Sequence, residues 1–564
     1  MSRRRTTYWL TLFLFLLVSA EMKPQGMLLP DTKEHIRACS DRTLYAAGEK
    51  VYFSLILFND NDSVDGELSR VAYCELVSPS GNRITGGKYL LGNSAGSGSL
   101  LIPEDAPTGI YYLKFYTRFM RNYPVSGYTF IMLKIVNPSR TEIIAGTDTI
   151  DNPSAPGNIA DNEAFSRKIE ISTSKKSYSP GEVVTVDIKV NAGEEAPVRL
   201  CLSVIPAATF TEHVVRLKKN TDTVSSVFYS PETRGVSLSG QLIAKETRQP
   251  LKGVKVNLSI VGDRDILVVR TDSAGRFFFA LPAYYGKRDI FLCADDLPDI
   301  TPELLIDNDF CARPLSLPSP TFSLNDEETK AAYKLVVNAR INAVYTLDTN
   351  AVDATGTTHV TSFYGKPTEV LVMDKYIDLP TLGEYFTDLP GLVKLKKVHG
   401  RRQFRFYDAQ ESLSMYEPLM LIDWVAVNNI EKILAMSPAE IDRIEFVNAP
   451  YVKGNIKYGG IISFVSKKND FAGIDLPTSG TFVNYKFLEE INENSSSLPS
   501  FDNIPDARNT VLWEPDLTIP NNGITSVSFK VPVTIGKLTM IFYRFPKTGK
   551  IISAEQTIEV TAKP

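Results

Sequence analysis

The chain has 564 residues, of which 43% are hydrophobic and 22% charged, and its formal net charge is -4 at pH 7. At about 150 residues per domain, this length predicts three to five domains with cores of their own. The near balance of charge and the lack of a basic stripe argue against nucleic acid as a partner, and no long acidic run indicates a disordered tail.

The N-terminus has the pattern of a secretory signal. Arg3, Arg4 and Arg5 precede an apolar run from Tyr8 to Val18, and Val18-Ser19-Ala20 offers small residues for cleavage. The run is shorter than the ~20 residues that span a bilayer. We therefore expect residues 1–20 to be removed and the mature chain to be exported, in the periplasm, at the outer membrane or on the cell surface, and peripheral to the membrane. An uncleaved signal anchor is the alternative.

Residues 27–140 form the first predicted β module. A turn at residues 46–49 precedes a strand in which Val51, Phe53, Leu55 and Leu57 alternate, and VAYCELVSP and GIYYLKFYT follow as further strands. The Tyr-x-x-Gly-Glu spacing at Tyr45 recurs at Tyr178 in KKSYSPGEVVTVDIKV. An internal repeat of antiparallel sandwiches is expected, the second over residues 166–230.

The opening D-R-x-L-Y-x-x-G-E-x-V-x-F and the later GSGSLLIPEDAPTGIYYLKFYTRFMRN resemble the macroglobulin-type domains of Bacteroidetes surface proteins. Macroglobulins that trap proteases carry a Cys-Gly-x-x-Gln thioester, and this chain has no such motif. The resemblance therefore implies a binding module without thioester chemistry.

Residues 235–300 form another β unit, with a turn at residues 250–253, alternation at Val254, Val256 and Leu258, and a hairpin at residues 271–277. This pattern resembles the carboxypeptidase-regulatory-like domain, which implies a prealbumin-like seven-stranded sandwich without peptidase activity. A connecting helix is predicted over residues 325–345. Asn325 or Asp326 would cap it, and its apolar face would contain Leu335, Val336, Ala339 and Ile341.

The pattern of residues 360–470 predicts a small α+β domain. An apolar strand at residues 419–422 precedes a turn, a helical stretch over residues 430–436, a helix start at Ser437-Pro438, and strands near residues 444 and 461–465. The order resembles the plug of TonB-dependent receptors, in its LID strand, its P-x-x-I-x-x-I-E passage and its YGG ending. Trp424 stands where the plug pattern has glycine. Trp424, Tyr451 and Tyr458 are the candidate exposed contacts with a partner.

Residues 506–564 are expected to form a further β-sandwich, and they are too few for the eight or more strands of a receptor barrel. The predicted fold class is thus mainly β and multidomain: several antiparallel sandwiches of macroglobulin and prealbumin type and one small α+β plug-like domain.

Cys39, Cys74, Cys201, Cys293 and Cys311 are odd in number, so at least one stays unpaired within the chain. Bridges between Cys39 and Cys74 and between Cys293 and Cys311 are candidates that spacing does not decide. No C-x-x-C pattern is present and the four histidines are scattered, so neither a metal site nor a cofactor is expected.

Catalytic motifs are weak. Residues 92–96 match G-x-S-x-G, but a strand follows where a nucleophile elbow needs a helix. The acidic groups at Asp60, Asp62 and Asp65, at residues 295–296 and at residues 307–309 are expected to lie in exposed loops. We expect a non-enzymatic docking or accessory protein of the TonB-receptor system, with an outer-membrane barrel or another envelope protein as partner. The alternative is a thioester-less macroglobulin-like module that binds peptide, protein or glycan at the cell surface.

Overall fold

The computed structural model of the chain describes residues 33–59, 68–146, 169–190, 198–211, 214–215, 228–346, 361–376, 379–388, 391–398, 400–407, 415–490, 506–520, 523–545 and 552–562. Within these ranges the fold is mainly β, with several sheets, as the alternation of apolar residues predicts. The signal segment at residues 1–20 and the acidic loop at Asp60, Asp62 and Asp65 lie outside the described residues.

Sandwich A is the first unit. Its strands are β1 Glu34–Ser40, β2 Leu44–Ala46, β3 Lys50–Asn59, β4 Val71–Val77, β5 Arg83–Leu90, β6 Ala95–Leu101, β7 Gly109–Thr117 and β8 Thr129–Val136, and short 3-10 turns at Phe119–Asn122 and Val125–Gly127 lie between β7 and β8. One sheet has the order β1-β3-β6 and the other β8-β7-β4-β5, with β2 added on β8. Phe53 of β3 meets Phe115 of β7 with ring centroids 5.1 Å apart, so the alternating residues of both sheets close the core.

Sandwich B is built from two distant parts of the chain. Its strands are β9 Ile169–Thr173, β10 Ser177–Tyr178, β11 Val183–Val190, β12 Val198–Pro206, β30 Leu512–Ile519, β31 Ile524–Lys530, β32 Gly536–Arg544 and β33 Ile552–Val560. Strand β11 pairs with β31, and β12 lies between β30 and β32. The expected separate sandwiches at residues 166–230 and 506–564 are therefore one, because each part supplies strands that hydrogen-bond to the other. Strand β13, Val214–Val215, leaves this unit and pairs with β8.

Sandwich C has seven strands, of which β19 and β29 lie outside the predicted range of residues 235–300. The strands are β14 Ser237–Ala244, β15 Lys255–Ile260, β16 Asp265–Arg270, β17 Arg276–Ala280, β18 Lys287–Ala294, β19 Pro302–Ile306 and β29 Thr481–Lys486. The sheets have the orders β17-β14-β19 and β16-β15-β18-β29. Sandwiches A and C share one continuous apolar core.

Helix α1, Asp326–Thr346, is the predicted connecting helix. Asn325 caps it: its side chain accepts from the Glu328 amide at 2.9 Å, while the Glu328 carboxylate accepts from the Asn325 amide at 2.9 Å. Ala331, Ala332 and Leu335 are buried against Leu44 of sandwich A. The other residues of the predicted apolar face, Val336, Ala339 and Ile341, are half-buried.

The α/β unit, residues 361–474, follows helix α1. Its elements are β20 Glu369–Val372, α2 Leu382–Asp388, β21 Val393–Val398, β22 Arg401–Phe406, β23 Leu419–Ile422, β24 Val425–Ala426, α3 Ile430–Ala435, β25 Ile441–Val447, β26 Tyr451–Lys453, β27 Ile456–Tyr458 and β28 Ile461–Ser466, with 3-10 turns at Met373–Lys375, Pro438–Glu440 and Phe471–Gly473. The main sheet has the order β20-β25-β28-β23-β24. The predicted strands and helical turns of residues 418–468 are present at the expected positions.

The units are nested rather than consecutive. Sandwich B opens with β9–β12, sandwich C follows, the α/β unit is inserted before β29 completes sandwich C, and β30–β33 then complete sandwich B. The α/β unit is thus tied to sandwich C at both ends, because the strand before it and the strand after it belong to the same sandwich.

Two sequence expectations about loops are corrected. Asp307 and Asp309 are not free in exposed loops: Asp307 pairs with Arg276, and Asp309 pairs with Lys88 of sandwich A. Residues 307–322 cross sandwich A, where the Cys311 amide donates to the Tyr116 hydroxyl at 2.8 Å. Asp295 likewise lies 3.1 Å from the Lys255 ammonium group. Asp309 thus joins this segment to sandwich A, whereas Asp307 and Asp295 form ion pairs within sandwich C.

Candidate binding surface

Trp424 and Tyr458, two of the three predicted contact residues, are buried within the chain. They are 5% and 6% exposed, so the expected exposed contact is not found for either. The Trp424 indole N–H donates to the Ser362 hydroxyl at 3.0 Å, and the Arg264 guanidinium lies over its ring at 4.3 Å. Arg264 belongs to sandwich C, so Trp424 holds the α/β unit against that sandwich.

Tyr451 and Tyr458 face the same internal boundary. They are cross-strand partners in the β26–β27 hairpin. Tyr458 packs in a cluster with Ile266 and Val268 of sandwich C, while Tyr451 is half-buried and its ring is tilted against that of Phe363, with centroids 5.6 Å apart. Burial raises the pKa of both phenols, that of Tyr451 to about 12. The structure brings the three predicted residues to one place, and that place is an interdomain contact.

A different part of the α/β unit is exposed and strongly charged. The basic hairpin, strands β21 and β22, contains six basic residues and no acidic one between positions 394 and 405: Lys394, Lys396, Lys397, Arg401, Arg402 and Arg405. Arg405 is half-buried and the other five are exposed. Gly400, directly before β22, has φ +82°, a left-handed conformation that glycine adopts without a steric penalty.

The strand register sets like charges opposite each other. Lys394 lies across from Arg405, and Lys397 lies across from Arg402. Like charges directly opposite on adjacent strands destabilise a sheet. Among the described residues, no carboxylate lies within ion-pair distance of Lys396, Lys397 or Arg401. The hairpin therefore presents positive charge that the described part of the chain does not neutralise.

Apolar residues on the other side anchor the basic hairpin. Val393, Phe404 and Phe406 are buried in the core of the α/β unit. The Phe404 ring lies 4.6 Å from that of Phe386 in α2. Because side chains alternate along a strand, burying Phe404 and Phe406 turns Arg405 and its cross-strand partner outward. The core thus fixes Lys394, Lys396, Arg401 and Arg405 on the outer face, whereas Lys397 and Arg402 alternate onto the face of Phe404 at the turn end of the hairpin.

One of the exposed cations has an internal partner. The Arg402 Nε donates to the Glu431 carboxylate of α3 at 3.0 Å. This hydrogen bond is the main reason why the pKa of Arg402 is raised and that of Glu431 is lowered. Both side chains are about half exposed, so the pair is solvent-screened and orients the guanidinium more than it stabilises the fold.

Exposed apolar side chains border the basic hairpin. This aromatic margin consists of Tyr407, Met415, Tyr416 and Val452, which are 40%, 75%, 39% and 58% exposed. The Lys394 ammonium group lies 4.0 Å from the centre of the Tyr407 ring, which makes margin and hairpin continuous. Glu417, next to Tyr416, accepts a hydrogen bond from the Gln403 side chain. Tyrosine, methionine and arginine, which this surface contains, are enriched at protein interfaces, whereas lysine is depleted there.

The basic hairpin was not among the predicted contact residues, although the sequence contains a local signal for it. KLKKVHGRRQFR has a charge of +6 without a carboxylate, counting the lysines and arginines at positions 394–405 and histidine as neutral. The net charge of the whole chain, -4, does not reveal this local excess of positive charge. Its placement on one exposed hairpin followed only from the strand register.

The catalytic and metal motifs give no second site. Gly92 and Ala95 exchange backbone hydrogen bonds around Asn93 and Ser94, which both have positive φ, so Ser94 lies at the tip of a hairpin that leads into β6. In the residues that the structure describes, no three His, Cys, Asp or Glu side chains are grouped to hold a metal ion. The described helices include none that is long and apolar enough to cross a membrane.

No family model matches the sequence, and no curated protein matches it. Solved structures that match are alpha-2-macroglobulins. The chain is 11% identical to Escherichia coli alpha-2-macroglobulin activated by porcine elastase, with a TM-score of 0.23, over 94% of this chain and 44% of that one. It is 10% identical to Salmonella alpha-2-macroglobulin reacted with methylamine, with a TM-score of 0.24, over 94% and 39%. The chain spans less than half the length of these proteins, and its function is argued below from its own residues.

Proposed function

We propose that the chain is a non-catalytic, exported docking protein of the outer-membrane receptor system. Its α/β unit presents the basic hairpin to an acidic face of a partner protein, for which an outer-membrane barrel is the expected partner. The observation that carries the proposal is the unneutralised positive charge of Lys396, Lys397 and Arg401 on a hairpin that Val393, Phe404 and Phe406 anchor in the core. The signal pattern at residues 1–20 and the resemblance to a receptor plug support export to the outer-membrane system.

The nested topology supports a docking role. The α/β unit is inserted into sandwich C, and sandwich C is inserted into sandwich B, so the unit that carries the hairpin is connected at both ends to the same sandwich. Trp424, Tyr451 and Tyr458 support the same role indirectly, because they hold the unit on sandwich C and leave the hairpin facing outward.

The test is a triple charge reversal, Lys396→Glu, Lys397→Glu and Arg401→Glu, in the tagged mature chain. Recovery of a barrel protein from gently solubilised outer membranes, identified by mass spectrometry, should fall at least about tenfold, because like charges at an interface are costly. Recovery with the unaltered chain should fall as the salt concentration rises. The matched control reverses Lys245, Lys252 and Lys334, which are exposed and lie outside the α/β unit.

Equal recovery with the hairpin and control variants would contradict the role of the hairpin. Recovery of the unaltered chain as a free monomer, with the same yield after residues 361–474 are deleted, would contradict the receptor-partner proposal as a whole.

A cell-surface module for peptide, protein or glycan is the second candidate. It is favoured by the shared turn of sandwiches A and B, in which Glu49 and Glu182 make equivalent hydrogen bonds to the backbone. This function predicts binding that the hairpin reversal leaves unchanged, so the same pair of variants separates the two candidates.

A further inference from the structure

Two buried cysteines from different sandwiches face each other. Cys39 lies in β1 of sandwich A and Cys201 in β12 of sandwich B. The two residues are 162 positions apart in the sequence, and their sulfur atoms are 3.6 Å apart. They are 4% and 0% exposed. All five cysteines are free thiols in this structure, and the pairings considered from the sequence, Cys39 with Cys74 and Cys293 with Cys311, are not formed.

Hydrogen bonds on either side of the thiols fix the two strands relative to each other. The Ser203 hydroxyl, two residues from Cys201, donates to the carbonyl of Asp41, two residues from Cys39, at 2.8 Å. Ser54 is the cross-strand partner of Cys39. Its hydroxyl donates to the carbonyl of Pro515 in sandwich B at 2.9 Å. The approach of the sulfurs is therefore set by the docking of the sandwiches.

The environment of the pair is apolar. The surrounding cluster contains Ile205, Trp513, Ile541, Tyr543 and Phe545. No grouped His, Asp or Glu in the described residues completes a metal site with the two sulfurs. The chemistry open to two adjacent thiols in such a place is the formation of a bond between them.

We propose that Cys39 and Cys201 form a disulfide that joins sandwiches A and B when the chain folds in an oxidising compartment. A disulfide has sulfurs about 2.05 Å apart, so the two atoms must approach by about 1.5 Å. The bond links sandwich A to sandwich B, which is built from the two distant groups of strands β9–β12 and β30–β33.

The reaction is thiol–disulfide exchange with a small disulfide such as oxidised glutathione, or with a protein disulfide donor. One protein thiolate attacks the donor disulfide, forms a mixed disulfide and releases one thiolate. The second protein thiolate attacks the sulfur of the first, forms the Cys39–Cys201 bond and releases the other. The protein loses two electrons and two protons, the donor disulfide is reduced to two thiols, and both protons end on these thiols or in solvent.

Burial decides when the bond can form. Desolvation raises the pKa of Cys201 well above that of a free thiol, and docking of the sandwiches covers both sulfurs. The mixed disulfide therefore forms during folding, while the thiols are still accessible, and the Cys39–Cys201 bond closes as sandwiches A and B dock. The folded, reduced chain should be oxidised slowly.

The other three thiols are isolated from one another. Cys293 contacts the Ala426 carbonyl at 3.8 Å, Cys311 contacts the Tyr128 hydroxyl at 3.5 Å, and Cys74 lies in the shared core of sandwiches A and C. One disulfide and three thiols account for the odd number of cysteines.

The test refolds the purified full chain in a buffer of reduced and oxidised glutathione, blocks free thiols under denaturing conditions, and maps peptides without reduction. Because the oxidant is supplied in vitro, the result does not depend on export or on the proposed docking function. We expect a single linked peptide pair containing Cys39 and Cys201, and complete alkylation of the other three cysteines. Cys201→Ser should abolish the linked pair and leave Cys39 alkylated, whereas Cys74→Ser should leave the pair intact.

Alkylation of all five cysteines after oxidative refolding would overturn the proposal, as would a linkage of Cys39 to Cys74. The peptide map of the unaltered chain is sufficient by itself to detect the linkage. A folding defect in Cys201→Ser would therefore not prevent a decision. Oxidation of the folded, reduced chain should be at least about tenfold slower than oxidation during refolding.

Discussion

Glu49 and Glu182 occupy the same position in two different sandwiches. The Glu49 carboxylate accepts from the Ala46 amide at 2.6 Å, and the Glu182 carboxylate accepts from the Ser179 amide at 2.9 Å, in each case three residues earlier. The glycine before each glutamate has positive φ, +86° at Gly48 and +76° at Gly181. The repeat predicted from Tyr-x-x-Gly-Glu is therefore a repeated turn, confirmed in both sandwiches.

The two glutamates should differ in their contribution to stability. Glu49 pairs with the buried Arg42 at 2.7 Å, whereas the equivalent partner of Glu182 is Lys175, which is 57% exposed. Glu49→Ala leaves a buried guanidinium without its main partner and should lower the free energy of unfolding by about 3 kcal/mol. Glu182→Ala should lower it by about 1 kcal/mol or less. Denaturant unfolding of both variants measures the difference, and equal losses would show that burial of Arg42 is unimportant.

Glu232 should make stability depend on pH. It is buried between sandwiches A and C, where it accepts from the Tyr73 hydroxyl at 3.1 Å and the Ser237 amide at 2.6 Å. Burial is the largest influence and raises its pKa from 4.5 to about 7, against the lowering effect of Arg118. The folded state thus binds a proton that the unfolded state has released at the same pH.

Because the folded pKa is the higher one, this stabilisation is complete below pH 4.5 and is lost as the pH rises through about 7. The expected loss is about 3 kcal/mol. Glu232→Gln should remove this component, and unfolding measured between these pH values should show a flatter profile than wild type. The exposed Glu142→Gln serves as control and should keep the wild-type slope. A wild-type slope in Glu232→Gln would assign the pH dependence to other groups.

Removal of residues 506–562 should unfold sandwich B. Strands β30–β33 lie in these residues and flank β11 and β12. Without them, the amides of β11 and β12 lose partners and the core loses Met540 and Phe542. Hydrogen exchange should show rapid labelling of residues 183–190 and 198–206, while β14 and β15 of sandwich C stay protected. Protection of residues 183–190 in the truncated chain would mean that the two parts fold separately.

Trp424→Gly should destabilise the chain although it restores the glycine of the plug pattern. Trp424 has φ +63°, a strained conformation for a non-glycine residue, and glycine would relieve about 1 kcal/mol. Removing a buried tryptophan side chain costs about 3–5 kcal/mol. The net loss should be about 2–4 kcal/mol, with faster hydrogen exchange in β16, which packs on the α/β unit. Tyr376→Ala, at an exposed site of the same unit, should change stability by less than about 0.5 kcal/mol. A more stable Trp424→Gly variant would show that backbone strain outweighs the contact with sandwich C.

Local patterns predicted the elements well. Alternation at Val51, Phe53 and Leu55 gave β3, and the helix start at Asn325 is a hydrogen-bonded capping box. The helical turns before Ile441 begin after Asn429, whose side chain accepts from the Glu431 and Lys432 amides, and after Ser437, which makes no side-chain capping hydrogen bond. These features depend on neighbours within a few residues, which is the range over which side-chain spacing and capping act.

The sequence by itself determined the strands, the repeated Tyr-x-x-Gly-Glu turn, the connecting helix and the order of elements in the α/β unit. Tertiary structure decided that β30–β33 complete sandwich B, that Trp424 and Tyr458 are buried against sandwich C, that Cys39 meets Cys201, and that six cations share one exposed hairpin. The physical reason is that strand pairing and docking join hydrogen-bonding edges and apolar faces that are far apart in the chain, and an edge carries no mark in sequence of the partner it will pair with.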